Sequence, residues 1–206
     1  MLLLLLSLGQ LPADRAAKWE KEVAGIEVRL ATDTPAAGGV VFVGSSTIRL
    51  WKLDESFPGA GYVNAGFGGS EVRDCTHFAP RLVRPHKPKT VVFYAGGNDL
   101  AAGRGPQQVA DDFAAFCTAV PEPRILFVSI RPSVKRWGLF DKETAANKLV
   151  RAACANGSRL RYVDAVPPLL GTDGKPRADL LVADQLHLNA AGYVVLAKVV
   201  GEALSR

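Results

Sequence analysis

Chemistry in this chain falls to a few polar residues that interrupt apolar runs. Val43-Gly44-Ser45-Ser46-Thr47 sets two hydroxyls directly after an apolar segment and a glycine that lets the backbone turn sharply. A serine hydroxyl is a weak nucleophile until a base lies within hydrogen-bond reach and a third group orients that base. Asp184-Gln185-Leu186-His187 offers such a pair. An aspartate and a histidine on one turn can hydrogen-bond, the carboxylate fixing the imidazole tautomer and stabilising the imidazolium. The same spacing also occurs in caps and metal-binding fragments, although no third ligand is evident. The chain has 3 histidines. His86, in Pro85-His86-Lys87-Pro88, enters a strand from its N-terminal end and so belongs to the wrong side of a sheet. His77 reads as a packing or surface residue of a helix. His187 has the best claim to be a base.

Two further segments supply N–H donors. Asn64-Ala65-Gly66-Phe67-Gly68-Gly69-Ser70 lies between a short strand and a helix, where glycines allow close backbone approach and helix-start N–H groups point outward unpaired. It can hold an oxyanion, or be an ordinary glycine-rich turn. Tyr94-Ala95-Gly96-Gly97-Asn98-Asp99 ends another strand, and the Asn98 amide can meet a developing negative charge. Local hydrogen bonding in a turn would equally account for an asparagine there.

The elements that position these residues alternate. Trp19, Val23, Ile26 and Leu30 recur at helical spacing between Asp14 and about Leu30, and Thr34 to Gly39 breaks that helix. Apolar runs at Val40 to Val43, Thr90 to Ala95, Arg124 to Ile130 and Leu160 to Val166 show little polar alternation, as strands covered on both faces do. A shorter strand is expected at Tyr62, Val63 and Asn64. Helices are expected from near Ser70 with Glu71 in the first turn, from Pro106 to about Val120, from Asp141 to Ala155, and from Asn189, a plausible N-cap, to Leu204. Strand and helix alternate throughout, so the fold class is α/β, a three-layer α/β/α sandwich on a parallel sheet of about five strands. Active sites of such sheets form beyond the C-terminal strand ends, where the polar motifs above fall.

Composition bounds the rest. The 206 residues suit one domain, 13–206, and 48% hydrophobic with 22% charged residues is a soluble globular balance. The formal charge of +5 comes from bases spread along the chain without a run of five, which implies a solvated basic surface and no nucleic-acid partner. The 3 cysteines, Cys75, Cys117 and Cys154, are an odd count without metal-ligand spacing and read as small buried hydrophobes. Residues 1–12 carry the short apolar run Met1 to Gly9, too short to span a bilayer but compatible with part of an export signal, although no base precedes it. A secreted or periplasmic location is the expectation, with a cytoplasmic one as the alternative. No other segment is expected to cross a membrane. Gly-x-Ser-x-Gly, Walker and dinucleotide motifs are absent.

A serine after the first sheet strand, then glycine, then Gly96-x-Asn98-Asp99, then Asp184-x-x-His187 before the last helix resembles the SGNH (GDSL-type) hydrolase pattern over nearly the whole chain from Val40. The wording Gly44-Ser45-Ser46-Thr47-Ile48-Arg49-Leu50-Trp51 is similar to bacterial GDSL-type esterases related to the platelet-activating-factor acetylhydrolase-like branch. The resemblance implies an SGNH, flavodoxin-like sandwich and a serine esterase working through an acyl-enzyme. It makes Ser46 the nucleophile, with Asp184 and His187 completing the triad, and an oxyanion hole formed by the Ser46 N–H, the Gly69 N–H and the Asn98 side chain. No metal or cofactor is implied. The family usually has Gly-Asp-Ser where this chain has Gly44-Ser45-Ser46, a departure that makes Ser45 the rival hydroxyl.

Substrate contacts are expected from Arg49 and Trp51, which follow the serine, and from Arg131 and Trp137 in the loop leaving a strand. The tryptophans can instead be packing residues, and the arginines structural donors to loop carbonyls. The partner is a small-molecule or glycan ester. A carbohydrate O-acetylesterase competes with a short-chain lipid or general carboxylesterase, and an inactive binding module is the reading from another class.

Overall fold

A computed structural model describes residues 11–32 and 38–206. The apolar run of residues 1–9, on which the export expectation rests, and most of the break at 34–39 lie outside them. In chain order the elements are α1 (Ala13–Thr32), β1 (Val40–Gly44), α2 (Ser46–Arg49), α3 (Leu53–Ser56), β2 (Val63–Gly66) and α4 (Val72–Leu82), followed by β3 (Thr90–Tyr94), α5 (Gly97–Ala101), α6 (Pro106–Ala119), β4 (Arg124–Val128), α7 (Phe140–Ala155), β5 (Leu160–Val163) and α8 (Ala190–Leu204).

The five strands form one parallel sheet in the order β2-β1-β3-β4-β5. Successive side chains of a strand face opposite ways, and here both faces are covered. Val41, Val43, Val91, Phe93, Ile125 and Phe127 pack on one side with Trp19 of α1, Phe78 of α4, Phe113 of α6 and Ala146 of α7. Phe42, Val92, Leu126 and Val128 pack on the other with Ile48, Leu53 and, from α8, Leu196 and Val200. That double burial is why the strands read as unbroken apolar runs. The architecture is the three-layer sandwich expected.

The order reverses at β1: the chain moves outward to β2, then returns to the other side of β1 for β3. At such a switch the connections leaving the two strands diverge and open a crevice beyond their C-terminal ends. Helix α1 buries Trp19, Val23, Ile26 and Leu30, the four positions its periodicity selects. It is tied to α4 by Arg15 on Asp74 (2.7 and 2.6 Å) and by Arg81 on Glu20 (2.8 Å).

Differences from the expected boundaries have local causes. The strands through Arg124 and Leu160 end at Val128 and Val163, because the Ser129 hydroxyl accepts the Ala165 N–H (2.9 Å) where a carbonyl would continue the ladder. Helix α4 begins at Val72, since Glu71 is its cap residue and donates its N–H to Asp74 Oδ2 (2.8 Å). The one-turn helices α2, α3 and α5 are too short to show a period. All three cysteines are buried and unpaired. No helix among the described residues is long and apolar enough to cross a membrane.

Candidate active site

Strand β1 ends in Gly44, whose φ of +146° and position against β3 exclude any side chain. A Cβ there would lie 1.9 Å from the Tyr94 carbonyl oxygen. The Ser45 N–H makes one more bond to that oxygen (2.9 Å), and the chain then turns into α2 with Ser46 as its first residue. Both serines line a cleft of about 600 Å³ at the C-terminal end of the sheet, Ser45 buried and Ser46 half-buried.

His187 reaches that cleft, with Asp184 on the same turn, which is closed by the Leu181–Leu188 bridge and the Val182 N–H on the His187 carbonyl (2.9 Å). Asn189 anchors its far end, its side chain accepting the Gly192 N–H (3.0 Å) to cap α8 as the sequence suggested. Asp184 Oδ1 accepts the backbone N–H groups of Leu186 (2.8 Å) and His187 (2.9 Å), and Oδ2 lies 2.5 Å from His187 Nδ1. The His187 backbone N–H, then its ring, then the Leu186 N–H hold this carboxyl well below the usual carboxylate range. A carboxylate only accepts, so His187 Nδ1 carries the proton and Nε2 presents a lone pair. Nε2 is 3.0 Å from Ser46 Oγ. The three side chains that the motifs paired across 141 residues meet in one file. The only described hydroxyl within hydrogen-bond reach of His187 is that of Ser46, not Ser45.

The donors named from sequence line the same cleft. Gly69 adopts φ +73°, a conformation that costs any residue with a Cβ about 1–2 kcal/mol. Its turn is held by the Gly68 N–H on Glu22 Oε1 of α1 (2.9 Å) and the Ser70 hydroxyl on the Phe67 carbonyl (3.0 Å). No described group accepts the N–H of Ser46 or of Gly69. Asn98 donates one amide hydrogen to the Ser70 carbonyl (3.0 Å) and accepts Arg136 Nη2 at Oδ1 (2.9 Å). Asn98 lines the cleft, and its second amide hydrogen has no acceptor among the described residues. Asp99, fully buried beneath, accepts the Val72 N–H with both oxygens (3.2 Å each), fixing where α4 starts after the glycine turn. Burial pushes its carboxyl up to about 7, outweighing the Val72 N–H and Arg104.

The expected substrate contacts separate. Arg49 lines the cleft half-exposed, its Nε 3.7 Å from Glu22. Arg131 borders the cleft too, but it is buried and donates Nη2 to the Leu186 carbonyl (2.8 Å) and to Thr47 Oγ1 (3.4 Å). It thereby ties the serine's helix to the histidine's turn, the structural role open to it from sequence. Neither tryptophan lines this cleft, and packing is the other role that the sequence left open to them. Trp51 is buried against Phe42 (5.4 Å) and Tyr193 (5.6 Å), with its indole N–H on Ser56 Oγ (2.8 Å). Trp137 stacks on Phe140 at 4.5 Å.

Glu22, Arg136 and Glu143 line the cleft without having been singled out. Glu22 reads as the polar face of an amphipathic helix and Glu143 as a first-turn acid complementing a helix dipole. Arg136 belongs to the loop already under scrutiny, but nothing in that loop's composition distinguishes it from Arg131. Burial pushes the Glu143 carboxyl up to about 7. No group of three or more His, Cys, Asp or Glu among the described residues is placed to hold a metal ion.

Known proteins resemble this chain in sequence and in fold. The GDSL-like lipase/acylhydrolase family matches over residues 46–195. Platelet-activating factor acetylhydrolase IB subunit alpha1 of Bos taurus is 30% identical, the match covering 81% of this chain and 75% of that protein. Among solved structures, a GDSL-like lipase from Bacteroides thetaiotaomicron has a TM-score of 0.71 at 18% identity, covering 92% of this chain and 97% of that one. An acetyl-xylooligosaccharide esterase from Geobacillus has a TM-score of 0.67 at 15% identity, covering 84% and 96%. At those identities the structural likenesses speak for the fold, while the family match and the acetylhydrolase relative speak for descent. The chain belongs to the GDSL-like lipase/acylhydrolase family, within the SGNH hydrolase superfamily, and is an ester hydrolase.

Proposed function

We propose that the protein cleaves a carboxylic ester through an acyl-enzyme on Ser46. The observation that carries this reading is the 3.0 Å approach of Ser46 Oγ to a His187 Nε2 whose opposite nitrogen is held by Asp184. As Ser46 Oγ attacks the ester carbonyl carbon, its proton passes to Nε2, and Asp184 stabilises the resulting imidazolium. The carbonyl oxygen becomes an oxyanion, met by the N–H groups of Ser46 and Gly69 and by the free Asn98 amide hydrogen. Collapse expels the alcohol, which takes the proton from Nε2. Water then repeats the sequence on the acyl-enzyme and releases the acid, so Ser46 is restored. Each oxyanion donor is worth about 10²–10³ in turnover, roughly 3–4 kcal/mol.

A second reading concerns the alcohol. Serine, threonine, asparagine, arginine and glutamate side chains dominate the cleft around Ser46, and Leu186 is the only aliphatic side chain larger than glycine among the lining residues. Such a lining favours a short acyl group on a hydroxyl-rich alcohol, as in an O-acetylated carbohydrate, over a long acyl chain.

A fluorophosphonate probe tests the nucleophile. The folded wild type and Ser45→Ala should label at Ser46, and Ser46→Ala should not label at all. Covalent adduct at Ser45, or none in folded wild type, would overturn the proposal, the latter in favour of an inactive binding module. Rates on acetylated sugars and on p-nitrophenyl esters of rising chain length test the alcohol reading. A preference for chains of eight or more carbons would refute it.

A further inference from the structure

Asn98 can serve an oxyanion only if its nitrogen, not its oxygen, faces the cleft, and the two ends of an amide have nearly the same shape. Two neighbours decide the matter. The Ser70 carbonyl is an acceptor with no hydrogen to give, and it takes one Nδ2–H at 3.0 Å. The Arg136 guanidinium is a donor with no lone pair, and its Nη2 lies 2.9 Å from Oδ1. Turning the amide over would set oxygen against oxygen and N–H against N–H at once.

We propose that Arg136 is a positioning residue for the oxyanion hole, locking the Asn98 amide and sharpening its free N–H as a donor. A cation on Oδ1 draws electron density out of the amide, which makes the remaining N–H more positive where negative charge develops. The inference rests on the oxyanion role proposed above for Asn98. Among the described residues Arg136 has no ion-pair partner that would spend its charge elsewhere. Tyr94, Arg131 and Glu143 are its titratable neighbours, and burial raises the Glu143 carboxyl to about 7. The guanidinium lies against Gly97, where a Cβ would meet Arg136 Nη1 at 3.4 Å, an ordinary contact distance. The loop end is pinned too, since the Arg136 N–H reaches Ser133 Oγ (3.3 Å).

A double-mutant cycle reads this directly. Arg136→Met keeps the aliphatic stem and removes the donors, and should lower kcat by about ten-fold with KM within two-fold, a part of the loss expected for a whole oxyanion donor. In an Asn98→Ala background the same change should have no further effect, because its target is gone. Arg136→Lys, which keeps the charge, should recover part of the loss. In spectra of 15N-labelled protein, the Asn98 side-chain NH2 should exchange faster with solvent in Arg136→Met than in wild type. Equal losses from Arg136→Met in both backgrounds, or a raised KM at unchanged kcat, would overturn the positioning role alone. A harmless Asn98→Ala would instead bring down the oxyanion assignment and this inference with it.

Discussion

Replacing Glu143 by glutamine removes a charge that the fold holds at a cost. The residue is 2% exposed, its Oε2 has no hydrogen-bond partner, and Arg131 and Arg136 offset its burial only in part. Burial raises its carboxyl from the usual 4.5 to about 7. In the unfolded chain the group ionises near its usual value. Between about pH 4.5 and 7 the folded state therefore binds more protons than the unfolded one, and stability falls as pH rises. Below that window both states are protonated and glutamine changes little. Above it the full penalty is present, on the order of 3 kcal/mol at about 1.4 kcal/mol per tenfold change in proton affinity. Glutamine keeps the shape without the charge. Urea unfolding of wild type and Glu143→Gln at pH 4.5 and pH 8 should give equal midpoints at the lower pH and a clearly more stable variant at the higher. For a chain this size the gain at pH 8 corresponds to a rise in Tm of several degrees. Parallel pH–stability curves for the two proteins would refute the reasoning, for then the carboxyl would titrate alike folded and unfolded.

The remaining predictions separate bracing from substrate contact. Glu22→Ala frees the Gly68 N–H and should lower kcat about five-fold, the equivalent of one ordinary hydrogen bond of about 1 kcal/mol, while Glu22→Gln, still an acceptor, stays near wild type. Steady-state kinetics on one chromogenic ester decides it, and equal rates for wild type and Glu22→Ala would deny α1 any part in holding the turn. Trp51→Ala should lose about 3–5 kcal/mol of stability on denaturant unfolding and leave KM unchanged below the transition. A raised KM with little loss of stability would return Trp51 to the substrate.

The sheet was legible because its strands are buried on both faces. Val91 to Phe93 and Ile125 to Phe127 present no polar side chain to either side, so a run of apolar residues carried the signal without needing alternation. Helices α2 and α5 were not legible. Four or five residues hold too little of a period, and both exist because strand ends at Gly44 and Tyr94 must turn at the switch point. Ser46, Asn98, Asp184 and His187 could be named from types and order, but the identification needed the family pattern, since no local feature joins residues 141 positions apart. The sequence left Trp51 open between packing and substrate contact for a physical reason: following the serine in sequence says nothing about direction, and one turn of α2 aims the indole back at Phe42 and Tyr193.

What remained hidden, apart from the structural role already open to Arg131, is the set of residues that hold the others still. Glu22, Arg131 and Arg136 come from α1 and from the loop after β4, and each bonds to a catalytic candidate's own segment: the Gly68 N–H, the Leu186 carbonyl, the Asn98 amide. A parallel sheet supplies strand ends at fixed spacing, yet the segments leaving those ends must still be tied to one another. Two arginines and a glutamate span the gaps, because a long side chain with a forked terminus can reach across a crevice and still satisfy a carbonyl or an N–H. Such residues carry no motif, since any loop that brings a guanidinium to the same point would serve. Their identity is therefore a property of the folded neighbourhood, and the rate of the reaction should depend on them through geometry rather than through contact with the ester.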